Sequence, residues 1–228
     1  MRCSFLFPLV VVVVAAVAAL APLTAVQAQS REIYINPKFR DIARQHKKIA
    51  VLPFTVTLQL RPIEVERLGG QDGLEDQQER EGLNVQRALA DFLYEGKQRH
   101  NLTVEVQSAV ETNELLQKAG IGVENLSQHS YAALAKILGA DALVNGTFLS
   151  TQPMSAGAAV AVMAMTGFSM PTNTGQLVIS LNDGPTGELL WKYDKSLQRG
   201  LGSDTRTIIY TIMRKAERQF PYAKNYKP

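Results

Sequence analysis

The sequence predicts a mixed α/β fold, with a sheet of about five strands and helices on its faces. Residues 47–54 include a short apolar run of the kind found in strands buried on both faces. Residues 142–149 form a second apolar run, and residues 81–95 between them have the period of an amphipathic helix. Strands that alternate with helices in this way pack as a sheet covered by helices.

The first strand is expected to end near Pro53, because proline removes a backbone donor from the sheet ladder. Residues 55–60 then continue in an extended conformation, with apolar side chains at every second position. Before the strand, Asn36 is placed to cap a short helix that has Pro37 at its first position.

Residues 61–80 are polar and rich in glycine, and this composition predicts a long loop. Such a loop is either functional or mobile, or it is a disordered insertion, and the composition favours neither alternative. The helix at residues 81–95 is expected to stop at Gly96, and residues 102–106 form a short strand.

Two further helices have recognisable ends. Ser108, followed three residues later by Glu111, fits a capping box, and Gly120 ends the helix that it opens. Ser127 is the expected cap of the next helix, which Gly139 ends.

A β-hairpin and a helix complete the predicted fold. Apolar residues alternate with polar ones in residues 177–181 and 189–193, and a segment dense in turn residues joins them. Ser203 or Asp204 caps the last helix, which Pro221 ends.

The first residues of the chain have the pattern of a secretory signal peptide. A basic start is followed by an apolar stretch that is short for a membrane span, and small residues favour cleavage after Ala28. The predicted organisation is a signal peptide at 1–28, a polar lead-in with a short helix at 29–46, one α/β domain at 47–222 and a tail at 223–228. The protein is therefore expected to be exported to the periplasm, where it is free or associated with the outer membrane.

Composition excludes several kinds of site. Cys3 is the only cysteine and lies in the signal peptide, so the processed chain has no disulfide, thiolate metal site or cysteine nucleophile. The 24 basic and 21 acidic residues give a net charge of +3, too balanced to indicate a nucleic-acid partner. No cofactor motif and no small-molecule substrate can be inferred.

The side chains that could support chemistry are few. His46, His100 and His129 are the only histidines, none is spaced from another as metal ligands are, and surface or capping roles are favoured for all three. Asp141 precedes a strand, where it is either a carboxylate of an active site or, as we favour, a turn residue that orders the strand entrance. No catalytic residue is predicted.

An acidic cluster lies in the predicted loop. It has no calcium-loop spacing, so a solvated acidic face is favoured over weak cation binding. The cluster comprises Glu75, Asp76, Glu79 and Glu81.

The most unusual stretch is residues 142–182, which contain no charged side chain. An apolar part within it, residues 154–171, must be buried or leave an apolar patch exposed. It packs on its own domain, or serves as a methionine-rich contact for a second chain, or inserts into a membrane. The interaction candidates are Met154, Val160, Val162, Met163, Met165, Phe168 and Met170.

Three segments resemble a superfamily of bacterial envelope domains. They are Lys-Ile-Ala-Val-Leu-Pro-Phe at 48–54, Gly-Ala-Asp-Ala-Leu-Val-Asn-Gly-Thr at 139–147 and Thr-Gly-Glu-Leu-Leu-Trp at 186–191. The superfamily includes the curli-secretion channel subunit (CsgG-like), the lipoprotein activator of penicillin-binding proteins, and the amino-terminal domain of the Tol-Pal propeller protein, TolB. The resemblance implies an anticodon-binding-like, TolB N-terminal-like domain that binds proteins or assembles into rings, without catalytic residues.

The chain departs from this superfamily in two respects. Most members are lipoproteins, whereas no cysteine follows the signal peptide here. The secretion channel also has dedicated membrane-spanning hairpins, for which the pattern of this sequence is ambiguous. The expected function is that of an exported, non-enzymatic envelope protein that mediates protein–protein interaction and possible self-association, with membrane contact through 154–171 as a further option. The alternatives are a subunit of an oligomeric outer-membrane secretion channel and a hydrolase with a site around Asp141.

Overall fold

The computed structural model describes residues 31–151, 164, 173–199, 205–216 and 219–224. The strands are β1 (Arg31–Ile35), β2 (Lys48–Val51), β3 (Thr55–Gln59), β4 (Glu105–Val106), β5 (Ala142–Thr151), β6 (Asn173–Asp183) and β7 (Leu189–Arg199). The helices are α1 (Phe39–Ala43), α2 (Pro62–Arg67), α3 (Gln71–Gln98), α4 (Ala109–Lys118), α5 (Tyr131–Leu138) and α6 (Thr205–Ala216). The predicted signal peptide and the caps Ser203 and Asp204 lie outside the described residues.

One mixed sheet organises these elements. Its order is β1-β7-β6-β5-β2-β4, and β3 pairs with β5 beyond the end of β2. The pairs of β2 with β4, and of β5 with β2 and β3, are parallel. Strands β5, β6 and β7 form an antiparallel meander, and β1 pairs antiparallel with β7. The predicted α/β class and the hairpin of β6 and β7 are confirmed.

The sheet has seven strands, and the prediction of about five was too low. The run before Pro53 ends at Val51, and the chain resumes as β3 along the same partner, β5, so one predicted strand is two. The other missed strand is β1, which lies in the predicted polar lead-in and pairs with β7. Its charged residues, typical of an edge strand, concealed it in the sequence.

Residues 61–80 are mostly helical, so the prediction of a long loop was wrong. Gly69 and Gly70, with φ of 97° and 89°, separate α2 from α3, and α3 then runs for 28 residues. The first turns of α3 consist mostly of residues with high helix propensity, but the prediction gave more weight to the glycines. Gly96 lies inside α3 and is not its stop, because the helix continues to Gln98.

Other helix ends were predicted with mixed success. The hydroxyl of Ser108 accepts a hydrogen bond from the Glu111 amide at 3.1 Å, and Gly139 ends α5 in the left-handed conformation, as expected. The cap of α5 is Ser130, not Ser127, which lies in the preceding 3₁₀ turn. Both serines precede the same apolar stripe, so the sequence pattern does not separate them.

The two faces of the sheet are covered unequally. On the first face, α3 and α6 pack on a large core that includes Val51, Phe54 and Trp191. On the second face, α4 and α5 cover a smaller core around Leu52 and Leu143. Farther along this second face, the side chains of β5 and β6 remain partly or fully accessible to solvent. Within the described residues no helix covers this area, which lies beside the first turns of α3.

Among the described residues, no helix is both long enough and apolar enough to cross a membrane.

Candidate functional site: an acidic groove on the uncovered sheet face

A groove of about 970 Å³ lies on the second face of the sheet. It is bounded by the bend between β2 and β3, the first turns of α3, residues 123–132, and the turn between β6 and β7. Strands β5 and β6 form its floor. We call this feature the acidic groove, for the charges described below.

The floor presents small and polar side chains. Thr147 of β5 pairs across the sheet with Val178 of β6, and Asn145 pairs with Ser180. Between the two β5 residues lies Gly146, where a Cβ atom would stand 2.0 Å from the Val178 carbonyl oxygen and 2.6 Å from the Phe54 ring. Glycine at this position therefore allows the Phe54 ring to pack against the floor strand.

The bend between β2 and β3 forms one wall of the groove, and α3 holds it in place. A Cβ atom at Gly82 would lie 2.2 Å from the Phe54 carbonyl oxygen, so the helix approaches the bend more closely than any other residue would allow. Farther along, the Gln78 side chain accepts a hydrogen bond from the Leu58 amide at 3.0 Å. The helix thereby satisfies one backbone amide at the free edge of β3.

The rim of the groove carries charge of a single sign. Glu75, Asp76 and Glu79 project from α3, Glu124 comes from the opposite side, and all four are exposed. None of these four carboxylates forms an ion pair within the described part of the chain, and no Lys or Arg is among the described residues that line the groove. The groove therefore has a negative potential at neutral pH.

A hydrogen-bonded chain fixes the end of the groove that is farthest from α3. The Tyr131 hydroxyl donates to Asn145 Oδ1 at 3.2 Å, Asn145 Nδ2 donates to Asn182 Oδ1 at 2.8 Å, and Asn182 Nδ2 donates to the Gly187 carbonyl at 3.1 Å. Burial raises the pKa of Tyr131, so its hydroxyl keeps its proton and acts as a donor at neutral pH. These three hydrogen bonds make the groove floor rigid, and polar groups on the outer surface of the floor remain available for contacts.

The groove was visible only in part from the sequence. The acidic cluster was predicted to be a solvated face, and three of its members are indeed exposed at the rim, although they project from a helix instead of a loop. Glu81, the fourth, is half-buried and is not among the lining residues. The floor residues were missed, because only the pairing of β5 with β6 brings them together.

Asp141 does not line the groove. Its carboxylate accepts hydrogen bonds from the backbone amides of Lys47 and Lys48, at 2.7 and 2.9 Å. The prediction that Asp141 orders the strand entrance is confirmed. The hydrolase alternative lacks its proposed basis, because the Asp141 carboxylate holds the strand entrance and the loop that was to complete the site is helical.

His46 was predicted to lie at the surface, and that prediction was wrong. It is buried, with Nε2 2.9 Å from Asp183 Oδ1 and Nδ1 2.5 Å from the Tyr222 hydroxyl. His100 and His129 are exposed as expected, and His129 lies at the lip of the groove. Within the described residues, no group of three His, Cys, Asp or Glu side chains is arranged to hold a metal ion.

The interaction candidates from the uncharged segment lie outside the described residues; they are Met154, Val160, Val162, Met163, Met165, Phe168 and Met170. The segment joins β5 to β6 at the end of the sheet where Thr151 pairs with Thr174.

No protein-family model and no curated protein matches this sequence. Among solved structures, the chain is similar to the lipoprotein GNA1162 from Neisseria meningitidis, with 14% identity, a TM-score of 0.43, and coverage of 75% of this chain and 94% of that one. The PelC dodecamer from Paraburkholderia phytofirmans gives 10% identity, a TM-score of 0.40, and coverage of 83% and 96%. The LpoB C-terminal domain from Salmonella enterica gives 10% identity, a TM-score of 0.33, and coverage of 72% and 94%.

All three are coarse likenesses of the chain fold. LpoB is a penicillin-binding-protein activator, so this member of the superfamily that the sequence resembles is also found among the similar structures. None of the three is the curli-secretion channel subunit or the Tol-Pal propeller protein, so that part of the resemblance remains a prediction.

Proposed function

We propose that this chain is an exported, non-enzymatic protein of the bacterial envelope that binds other proteins, and that the acidic groove is its binding surface. The observation that carries the proposal is the groove itself: about 970 Å³ of accessible space above an uncovered sheet, with a fixed floor and charge of one sign at its rim. A concave surface with apolar walls and a few placed polar groups is the usual form of a binding site.

The location in the envelope is supported by the sequence. The predicted signal peptide at residues 1–28 directs the chain out of the cytoplasm, and a chain without cysteine after the signal does not depend on disulfide formation there. Binding in the periplasm or at the outer membrane follows from that route.

Cross-linking in cells tests the proposal at the groove. A photoreactive amino acid in place of Thr147, which is exposed on the floor, is expected to give discrete adducts with another envelope protein. The same amino acid in place of Val110, which is 65% exposed on α4, serves as the control. Adducts at position 147 that are absent at position 110 would support the groove as a binding surface. Equal adducts at both positions, or none at position 147, would contradict it.

The uncharged segment supports a second contact. We propose that the methionine-rich residues 154–171 join a second copy of the chain or a partner, since methionine side chains adapt to irregular surfaces. Light scattering on the processed protein, with and without residues 155–170, tests this contact. A molar mass that the deletion does not change would contradict self-association through the segment.

A secretion-channel subunit remains the second candidate function, because strands of about 9 to 11 residues are long enough to span a membrane and the segment contains no charge. Flotation with liposomes and conductance measurements test it. A protein that stays in the aqueous fraction and produces no current would rule this candidate out.

A further inference from the structure

We infer that the acidic groove accepts an extended peptide segment of a partner protein in which arginine or lysine side chains alternate with apolar ones. The inference rests on the proposed function and adds the chemistry of the partner.

The charge of the groove selects a cation. Glu75 and Glu79 stand one helical turn apart on α3, an arrangement in which like charges repel, and Asp76 adds a third carboxylate beside them. Within the described residues, none of them is paired with a base. A bound cation would replace this repulsion with attraction, so the groove binds a basic segment more readily than a neutral or acidic one.

The floor of the groove is suited to an apolar side chain between the cations. Leu52, Phe54 and Val56 at the β2–β3 bend are buried within the protein, so the apolar surface left for a partner is that of Val178 on the floor. Val178 is partly accessible to solvent at this place, so an apolar partner side chain above it would remove apolar surface from water. A small cation such as a polyamine would leave this surface uncovered.

The size of the groove indicates a segment longer than one residue. Its volume of about 970 Å³ is at the upper end of the usual range for small-molecule pockets, roughly 300–1,000 Å³. Carboxylates lie on both sides, with Glu79 on α3 and Glu124 in the segment opposite. An extended chain that crosses between them would place side chains of alternating direction toward the rim and the floor.

Arginine is the cation best suited to these carboxylates, because its planar guanidinium donates to both oxygens of one carboxylate. The polar floor groups at Asn145, Thr147 and Ser180 are close enough to the same space to bind the peptide backbone or a second guanidinium. The chemistry of the partner is therefore basic and amphipathic.

Fluorescence anisotropy with labelled peptides tests the inference. The full-length chain is expressed with its signal peptide and purified after export. The probes are a peptide of alternating Val and Arg, its Val and Glu counterpart, and spermidine as a competitor. The Arg peptide is expected to bind, its affinity to fall as NaCl is raised from about 50 to 300 mM, and the Glu peptide not to bind.

Two matched triple variants identify the site. E75Q/D76N/E79Q removes three charges from the rim and is expected to weaken binding of the Arg peptide about tenfold. E66Q/D72N/D91N removes three exposed charges that do not line the groove and leaves the same net charge, so we expect less than about a twofold effect. Equal losses in both variants would indicate non-specific attraction and overturn the inference.

The remaining outcomes separate the inference from the proposed function. Equal binding of the Arg and Glu peptides, or full displacement by spermidine at matched charge, would overturn the peptide chemistry, while adducts at position 147 would still support the groove. Absence of both peptide binding and adducts at position 147 would overturn both.

Discussion

Nε2 of His46 lies 2.9 Å from Oδ1 of Asp183, and both side chains are buried. With Nε2 donating to the carboxylate, Nδ1 accepts the Tyr222 hydroxyl at 2.5 Å. This contact connects the residue that precedes the entrance of β2 to the end of β6 and to the last described residues of the chain. It lies at the opposite end of β2 from the bend that lines the acidic groove. None of the three side chains lines the groove, but Asp183 also accepts hydrogen bonds from Thr186, which does.

Substitution of His46 measures how much this hydrogen-bonded network adds to the free energy of unfolding. His46→Ala leaves the buried Asp183 carboxylate and Tyr222 hydroxyl without their shared partner, so we expect the free energy of unfolding to fall by about 3 kcal/mol. Urea denaturation measures the change. Arg44→Ala is the control. Arg44 is exposed and its ion pair with Asp41 is long, at 4.0 Å, so the substitution is expected to cost less than about 0.5 kcal/mol. Equal effects would contradict a specific role for the network.

The same network predicts how stability depends on acid. Burial alone would raise the pKa of Asp183, but hydrogen bonds from the Thr186 hydroxyl and amide, and then His46, outweigh burial and lower it. The unfolded carboxyl, with a pKa of about 3.9, therefore binds its proton first as the pH falls. The stabilisation that the ionised Asp183 carboxylate gives the fold is complete above the unfolded pKa, and it is lost as the pH falls through the lower pKa of the folded state.

We expect the unfolding free energy of the wild type to decline steeply below about pH 4. The Asp183→Asn protein is expected to be less stable than the wild type at pH 7, and its unfolding free energy is expected to decline less as the pH is lowered. Urea titrations from pH 7 to pH 2.5 give both curves, and Asp41→Asn, which removes an exposed carboxylate, is the control. Parallel curves for the wild type and Asp183→Asn would contradict the role of Asp183.

Two glycines in α3 are expected to respond oppositely to alanine. At Gly82 a Cβ atom would stand 2.2 Å from the Phe54 carbonyl oxygen, whereas at Gly96 its nearest contact is 3.6 Å from Leu102. Gly82→Ala must push the helix away from the β2–β3 bend and should cost about 2 kcal/mol. Gly96→Ala should be neutral or stabilise by about 0.5 kcal/mol through helix propensity.

Thermal unfolding followed by circular dichroism measures both variants. Because Gly82 sets the distance between α3 and the wall of the groove, Gly82→Ala is also expected to weaken binding of the Arg peptide. A stable Gly82→Ala protein with unchanged binding would mean that the close approach is not needed.

Asp141 is expected to matter for stability alone. Asp141→Ala removes the acceptor of two backbone amides at the entrance of β2 and, at this half-exposed position, should cost about 1 kcal/mol. Asp141→Asn keeps one side-chain oxygen as an acceptor and should cost less. Peptide binding is expected to be unchanged in both, and loss of binding in a folded Asp141→Ala protein would place this residue in the site after all.

The rim carboxylates are expected to lower stability in the free protein. E75Q/D76N/E79Q relieves repulsion between like charges on α3 and should raise the unfolding free energy by about 0.5 kcal/mol at low salt. The gain should vanish at about 1 M NaCl, where the charges are screened. A variant that is less stable than the wild type at low salt would show that local contacts, such as the hydrogen bond from Gln71 to Glu75, outweigh the repulsion. Functional surfaces commonly lower the stability of the free protein because their residues are selected for binding.

Much of the fold follows from local patterns in the sequence. The apolar runs that became β2 and β5, the side-chain cap at Ser108, the left-handed stop at Gly139 and the hairpin of β6 and β7 are each encoded within a few residues. Such signals depend on periodicity, side-chain caps and backbone freedom, which act over short stretches of chain.

The tertiary structure decided what these patterns leave open. The burial of His46 depends on Asp183 and Tyr222, which are 137 and 176 residues away, and the position of β1 depends on β7. The acidic groove exists because α3 packs beside the pairing of β5 with β6. By itself the sequence determined the class of the fold, the predicted export and the acidic character of residues 75–79. Only long-range packing could decide which surface they border, because no local pattern specifies which distant segment becomes a neighbour.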